Sequence, residues 1–156
     1  MNAYSLAPLL LLFPAIGVLF NGLIGRRFVE ADARVGERWS GWFASLMAIG
    51  SFVIAVLLFF SLQANEFQAM IVPIIDWISV PSANFYVPWA IRVDTLSVTM
   101  MLVVTGVGSL IHIYAIGYMH GDPNFSRFFT YFSLFIFFML ILVSGSTYLV
   151  LFVGWE

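Results

Sequence analysis

Four apolar runs of spanning length succeed one another along the chain: Leu6–Leu23, Trp42–Leu62, Thr95–Met119 and, as the core of the fourth, Phe128–Val143. A hydrocarbon layer about 30 Å thick is crossed by roughly 20 helical residues, so each run is predicted to be a transmembrane helix. Pro8 and Pro14 fall in the first run and are tolerated where neighbouring helices satisfy the freed backbone groups. From Thr147 a fifth run begins, ending on Gly-Trp-Glu at 154–156. The first run is no secretion signal, because Arg26 and Arg27 follow it and no small-residue cleavage site is present.

The polar breaks carry their own signals. Between the third and fourth runs, Gly121 can end a helix in a left-handed conformation, and Asp122-Pro123 is expected to cap and start the next. Asp94 is expected to cap the third helix at Thr95–Ser97, where its charge favours the helix dipole. The break from Gln63 to Val93 holds Pro73, Pro81 and Pro88, with β-rich "IIDWISV" and "FYVPWAIRV" around a Pro-Ser-Ala-Asn turn signal. An external β-hairpin and an irregular loop on the membrane surface both fit it. The predicted fold is an all-α polytopic membrane protein of four transmembrane helices plus the start of a fifth, with either that hairpin or that loop between the second and third. Its segments are 1–62, two helices and an arginine-rich loop; 63–93, the external segment; and 94–156, the third and fourth helices and half of the fifth.

Composition agrees with lipid as the solvent. Of 156 residues 62% are hydrophobic and 9% charged, against roughly a quarter charged in soluble domains. The net charge of −2 does not suggest nucleic acid as a partner. The absence of cysteine excludes iron–sulfur ligation, thiolate zinc and disulfides, and no cofactor is expected on this chain. There is no lysine, and the six cations are all arginine. Arg26, Arg27, Arg34, Arg38 and Arg127 fall in breaks on one side, and only Arg92 on the other. The five-arginine side is expected to be cytoplasmic, with the N-terminus outside. Trp39 and Trp42 at one boundary, and Trp77 and Trp89 near the other, suit aromatic belts.

Glu156 is the main chemical candidate. With the fourth helix running outward and turning at Ser144–Ser146, the acid lies nine residues past Thr147, about 13–14 Å down a helix and near the middle of the hydrocarbon. A charge there is costly and is read by default as functional, with a partner facing it; the alternative is a short interfacial segment with Glu156 in water. Ten residues cannot span, and a helix ending at that depth would leave about four carbonyls unsatisfied, so the polypeptide is expected to continue. His112 shares one helical face with Thr105, Gly108, Ser109 and Ala115, a small-residue stripe of the kind that lets membrane helices approach closely. It reads as a hydrogen-bonded packing residue or, alternatively, as a participant in proton passage. His120 is expected to be solvated in its turn, and Glu66 and Asp76 to be surface charges. "TGVGSL" lies inside an apolar helix and is no phosphate loop.

The stretch Val93–Glu156, with Val-Asp-x-Leu-Ser, Leu-Ile-His-x-Tyr, Gly-Tyr-Met, Ser-Arg-Phe-Phe and Gly-Trp-Glu, resembles the N-terminal part of subunit L of bacterial NADH–quinone oxidoreductase, respiratory complex I, which has equivalents in mitochondria (subunit 5) and in chloroplasts. Met1–Gln63 matches only in its pattern of two spans and an arginine loop. The resemblance implies an antiporter-like, proton-translocating module of the membrane arm, built in the family from inverted five-helix repeats, in a bacterial plasma membrane. It implies proton transfer by Glu156 facing a lysine on a later helix, which would loosen a proton that a buried carboxylate otherwise holds. The implied partners are other membrane-arm subunits and lipid, with no direct NADH or quinone contact. By itself this stretch is not expected to pump. The alternatives are a subunit of a multi-subunit sodium/proton antiporter or membrane hydrogenase, and a non-catalytic membrane scaffold in which Glu156 is incidental.

Overall fold

A computed structural model describes residues 3–156. Met1 and Asn2 of the first segment, and the side chains of Arg26 and Arg34 among its arginines, lie outside the described residues. The chain folds as α1 (Ala7–Leu19), a π-helical turn (Phe20–Gly25), α2 (Arg26–Ala31), α3 (Ala33–Ala64), β1 (Met70–Val80), β2 (Phe85–Val93), α4 (Thr95–Tyr118), α5 (Phe125–Ser144) and α6 (Tyr148–Trp155). Among the described residues four helical stretches are long and apolar enough to cross a membrane: Tyr4–Gly25, Val35–Ala64, Thr95–Tyr118 and Phe125–Ser144. The chain is a multi-pass membrane protein with one small antiparallel hairpin, as the sequence predicts.

α1 shows how a proline is carried inside such a helix. Pro14 has no N–H to give the carbonyl of Leu10, and Ser51 on α3 donates its hydroxyl to that carbonyl at 3.0 Å. Near the C-terminal end of α3 the Tyr4 hydroxyl donates to Ser61 O at 3.1 Å; with Leu10 opposite Ser51 and Tyr4 opposite Ser61, the two helices run antiparallel. The core follows from this pairing: Leu10, Leu58, Val98, Met101, Ile136 and Leu140 are enclosed between α1, α3, α4 and α5. Near the arginine-bearing end, Ala44, Ala115, Phe125 and Phe129 form a second cluster.

Three boundaries differ from expectation. The arginine-rich break is helical, and α3 begins at Ala33, nine residues before Trp42; its charged first turns project beyond the apolar run, a continuation that hydropathy alone does not register. The first run ends in a π-helical turn, where Asn21 is buried. α5 begins at Phe125 with Asn124 as its uncapped N-cap, so Asp122 does not cap the helix. Its carboxylate accepts instead from the Asn124 N–H at 2.7 Å, closing the turn that precedes α5. Gly121 has the left-handed φ of +83° that the turn requires.

The Gln63–Val93 segment resolves as the hairpin. β1 and β2 pair from Met70 with Val93 to Val80 with Phe85, with register shifts at Pro73/Ile75 and Asp76/Ile78. Asn84 closes the turn at φ +48°, and Trp77 packs edge-on against Trp89 across the strands at 5.3 Å. The small-residue stripe of α4 is buried as expected. A Cβ on Gly108 would lie 2.7 Å from Ile136 Cδ1 on α5. Gly108→Leu is therefore expected to destabilise helix packing by about 1–3 kcal/mol. Leu110→Phe, on the exposed face, should leave it intact. Equal amounts of the two variants assembled in membranes would remove the stripe as a packing surface.

Candidate functional site at the start of α6

The site is assembled where α5 ends. Gly145 forms an isolated bridge with Ile91 of β2, and the Ser146 N–H donates to Ala90 O at 3.3 Å. The hairpin thus holds the α5–α6 turn, a role its sequence does not announce. Thr147 follows with extended backbone, and its hydroxyl oxygen accepts the Val150 N–H at 3.3 Å, an N-cap that launches α6. Val150 is buried, whereas Tyr148, Phe152 and Trp155 are exposed.

α6 folds back along α5, and Gly154 makes this approach close. A Cβ there would lie 2.5 Å from Leu142 N, 2.8 Å from Leu142 Cα and 2.9 Å from Phe138 O. All three are main-chain atoms, which have no rotamer by which to yield. The glycine of Gly-Trp-Glu is therefore a contact requirement. It places the end of α6 beside Phe138–Leu142, two to six residues before the end of α5, or about 3–9 Å along that helix. Glu156 continues the last turn, its N–H donating to Phe152 O at 3.0 Å, with its side chain exposed.

His112 is elsewhere. It is fully buried on α4 and stacks on Phe132 with ring centroids 4.1 Å apart. Its Nδ1 lies 2.8 Å from Gly108 O; a carbonyl only accepts, so Nδ1 carries the proton. Nε2 has no partner among the described residues. His112 touches the first half of α5 through Phe129 and Phe132, whereas α6 docks on its second half, so the two candidates do not form one cluster. Among the described residues no group of His, Cys, Asp or Glu is arranged to hold a metal.

Asp94 is the expected cap of α4. Its carboxylate accepts the Ser97 N–H at 2.8 Å, and the Ser97 hydroxyl accepts the Asp94 N–H at 2.9 Å, while Arg92 Nε donates to it at 2.6 Å. Partial burial pushes the Asp94 carboxyl up, but the hydrogen bonds from Ser97 and Arg92 outweigh this and hold it below the usual carboxylate range. Asp76 accepts a hydrogen bond from the Tyr86 hydroxyl.

The expectation of a merely solvated His120 is corrected. Its Nδ1 is 2.7 Å from Glu37 Oε2, although the ring itself is exposed. The Glu37 carboxylate is buried and also accepts the Gly121 N–H at 3.3 Å. Because α3 starts at Ala33, it carries this acid up to the α4–α5 turn. In the sequence Glu37 is one of three acids, with Glu30 and Asp32, interspersed among the arginines, and nothing singles it out. Asn21 is equally hidden in the sequence: its side-chain oxygen accepts from Ser40 Oγ at 2.5 Å, and its backbone carbonyl from Ser126 Oγ at 2.8 Å.

Residues 77–129 match the family model for the N-terminus of chain 5 of NADH-ubiquinone oxidoreductase, complex I. The chain is 40% identical over 144 residues to the NADH-ubiquinone oxidoreductase chain 5 of Allomyces macrogynus, covering 92% of this chain and 21% of that one. It is 40% identical over 147 residues to the chain 5 of Aspergillus niger, covering 94% and 21%. With that of Chondrus crispus it shares 38% over 148 residues, covering 95% and 21%. At that coverage the likeness extends well into Met1–Gln63, where the sequence suggests only a shared pattern. The chain spans about a fifth of the length of these relatives. These three relatives are eukaryotic proteins. By sequence, the chain belongs to the complex I chain 5 family, within its N-terminal part.

Proposed function

We propose that the chain is part of a membrane-arm subunit of a proton-pumping NADH–quinone oxidoreductase, and that Glu156 transfers protons in it. The observation that carries this reading is the 40% identity to chain 5 over 92% of the chain. The packing of α6 supports the assignment of Glu156: a Thr147 cap and a glycine seated on the α5 backbone hold the last turn of α6, which ends on Glu156, along an apolar helix. An acid held there can take up and release a proton where water cannot. His112, with one ring nitrogen bonded and the other unpartnered, is assigned a packing role first and proton passage second. The partners are other membrane-arm subunits and lipid, with no NADH or quinone contact by this stretch. The test is proton translocation in sealed vesicles by the assembled parent enzyme carrying Glu156→Gln.

The proposed location is the plasma membrane of a bacterium, with the N-terminus outside; the five-to-one arginine split supports the sidedness. The absence of native cysteine makes this directly testable. A cysteine at Ser82, in the exposed hairpin turn, is expected to react with an impermeant thiol reagent added outside. One at Asn124 should react only after the membrane is opened. Gly36 is unsuitable for a label, because a Cβ there would meet Val29 N at 2.4 Å. Labelling of Asn124→Cys in sealed cells would reverse the orientation.

A further inference from the structure

At the arginine-bearing end of the bundle, a cleft of about 360 Å³ lies between the π-helical turn and the first turns of α5. Asn21 and Gly22 form one wall, and Asn124, Arg127, Thr130 and Tyr131 the other. Among the described residues Arg127 is the single charged one lining it, and it has no ion-pair or hydrogen-bond partner among them. The N-terminus of α5, a helix of 20 residues, opens at the same place without a side-chain cap. Its free N–H groups and dipole favour an anion. The floor is fixed by the Ser40–Asn21 and Ser126–Asn21 hydrogen bonds at 2.5 and 2.8 Å, so the cleft is a built feature of the fold.

We propose that this cleft binds the phosphate headgroup of an anionic phospholipid, with the Arg127 guanidinium as its cation. A soluble phosphate would need only the polar wall. The two helical segments that form the cleft also carry exposed apolar surface. Tyr131, which lines it, and Phe135 follow Arg127 at successive four-residue steps along α5, and Leu19 and Leu23 lie just before and within the π-helical turn, all largely exposed. A headgroup seated on Arg127 would thus have its acyl chains lying along Phe135 and Leu19, in the direction of the membrane interior. A basic pocket between helix ends, at the boundary where the arginines gather, is where an anionic leaflet supplies such a ligand. The inference rests on the membrane-spanning fold and is independent of the role assigned to Glu156.

The test uses the assembled parent enzyme in vesicles containing photoactivatable phosphatidylglycerol. Adducts are mapped to the peptides bearing Gly22 and Thr130, and compared with those on the exposed α4 face at Leu110 and Tyr114 as a measure of bulk lipid. Enrichment at the cleft peptides is expected, with competition by unlabelled phosphatidylglycerol and not by phosphatidylcholine or inorganic phosphate. Arg127→Gln should lower the enrichment roughly tenfold, the loss of one charge-assisted contact, and Arg127→Lys should retain part of it. If Arg127→Gln does not assemble, Arg127→Lys together with Thr130→Val gives the same reading at smaller amplitude. Labelling at the cleft no greater than on α4, or unchanged by these substitutions, overturns the site. Competition by inorganic phosphate overturns the lipid assignment, and so does crosslinking of the cleft to another subunit in place of lipid.

Discussion

Replacing Glu156 by glutamine in the full-length parent is expected to leave an assembled enzyme that has lost most of its coupled proton translocation. Glutamine keeps the length and hydrogen-bonding capacity of the side chain but cannot exchange a proton. General acid–base groups contribute about 10²–10⁴-fold to a proton-transfer step, so an essential relay should fall by at least tenfold. The side chain is exposed at the end of α6 and among the described residues makes no hydrogen bond that holds the fold together, so subunit content should not change. Glu156→Asp keeps the carboxyl one methylene shorter and should retain an intermediate rate. A purely structural acid predicts the opposite order, with glutamine benign and aspartate disruptive. Protons moved per electron pair, with subunit content measured on the same vesicles, separate the two. Normal pumping by fully assembled Glu156→Gln enzyme would take the residue out of the mechanism.

What was legible in the sequence is what depends on neighbours in the chain. The apolar runs gave four spans, because a bilayer demands about 20 consecutive apolar residues whatever the helices then pack against. The Asp94–Ser97 box, the left-handed Gly121 and the turn between β1 and β2 each involve residues within a few positions of one another. The stripe of Thr105, Gly108, Ser109, His112 and Ala115 was legible too, since helical periodicity alone places them on one face.

The features that escaped are set by partners far along the chain. Glu37 meets His120 across 83 positions and Gly121 across 84, and nothing near either residue announces the other. Asn21 looks like an interruption in an apolar run until Ser40 and Ser126 are seen bonded to it. Ser51 is one small residue among many until its hydroxyl is found on the carbonyl that Pro14 leaves free. The candidate site divides along the same line: the acid itself is plain in the sequence, whereas the reason for the preceding glycine lies in the backbone of another helix.

That glycine makes the strongest structural prediction. Gly154→Ala adds one methyl group where main-chain atoms of Leu142 and Phe138 lie 2.5 to 2.9 Å away. In an isolated helix the same change is favourable by up to about 1 kcal/mol, so propensity alone predicts a stabler α6. Contact predicts otherwise: α6 must lift from α5, losing its seat on that helix and shifting Glu156. Overpacking of this kind costs about 1–3 kcal/mol, and more where the backbone cannot adjust. Gly117, whose Cβ would meet nothing within 4 Å, is the matched control, since Gly117→Ala carries only the propensity gain. The two variants should diverge in the parent enzyme, Gly117→Ala pumping normally and Gly154→Ala losing both subunit stability and proton translocation. Thermal release of the subunit from the detergent-solubilised complex measures the first effect, and vesicle acidification the second. Matching behaviour of the two alanines in both assays would mean that α6 does not need its close seat on α5, and that Glu156 is positioned by something other than this packing.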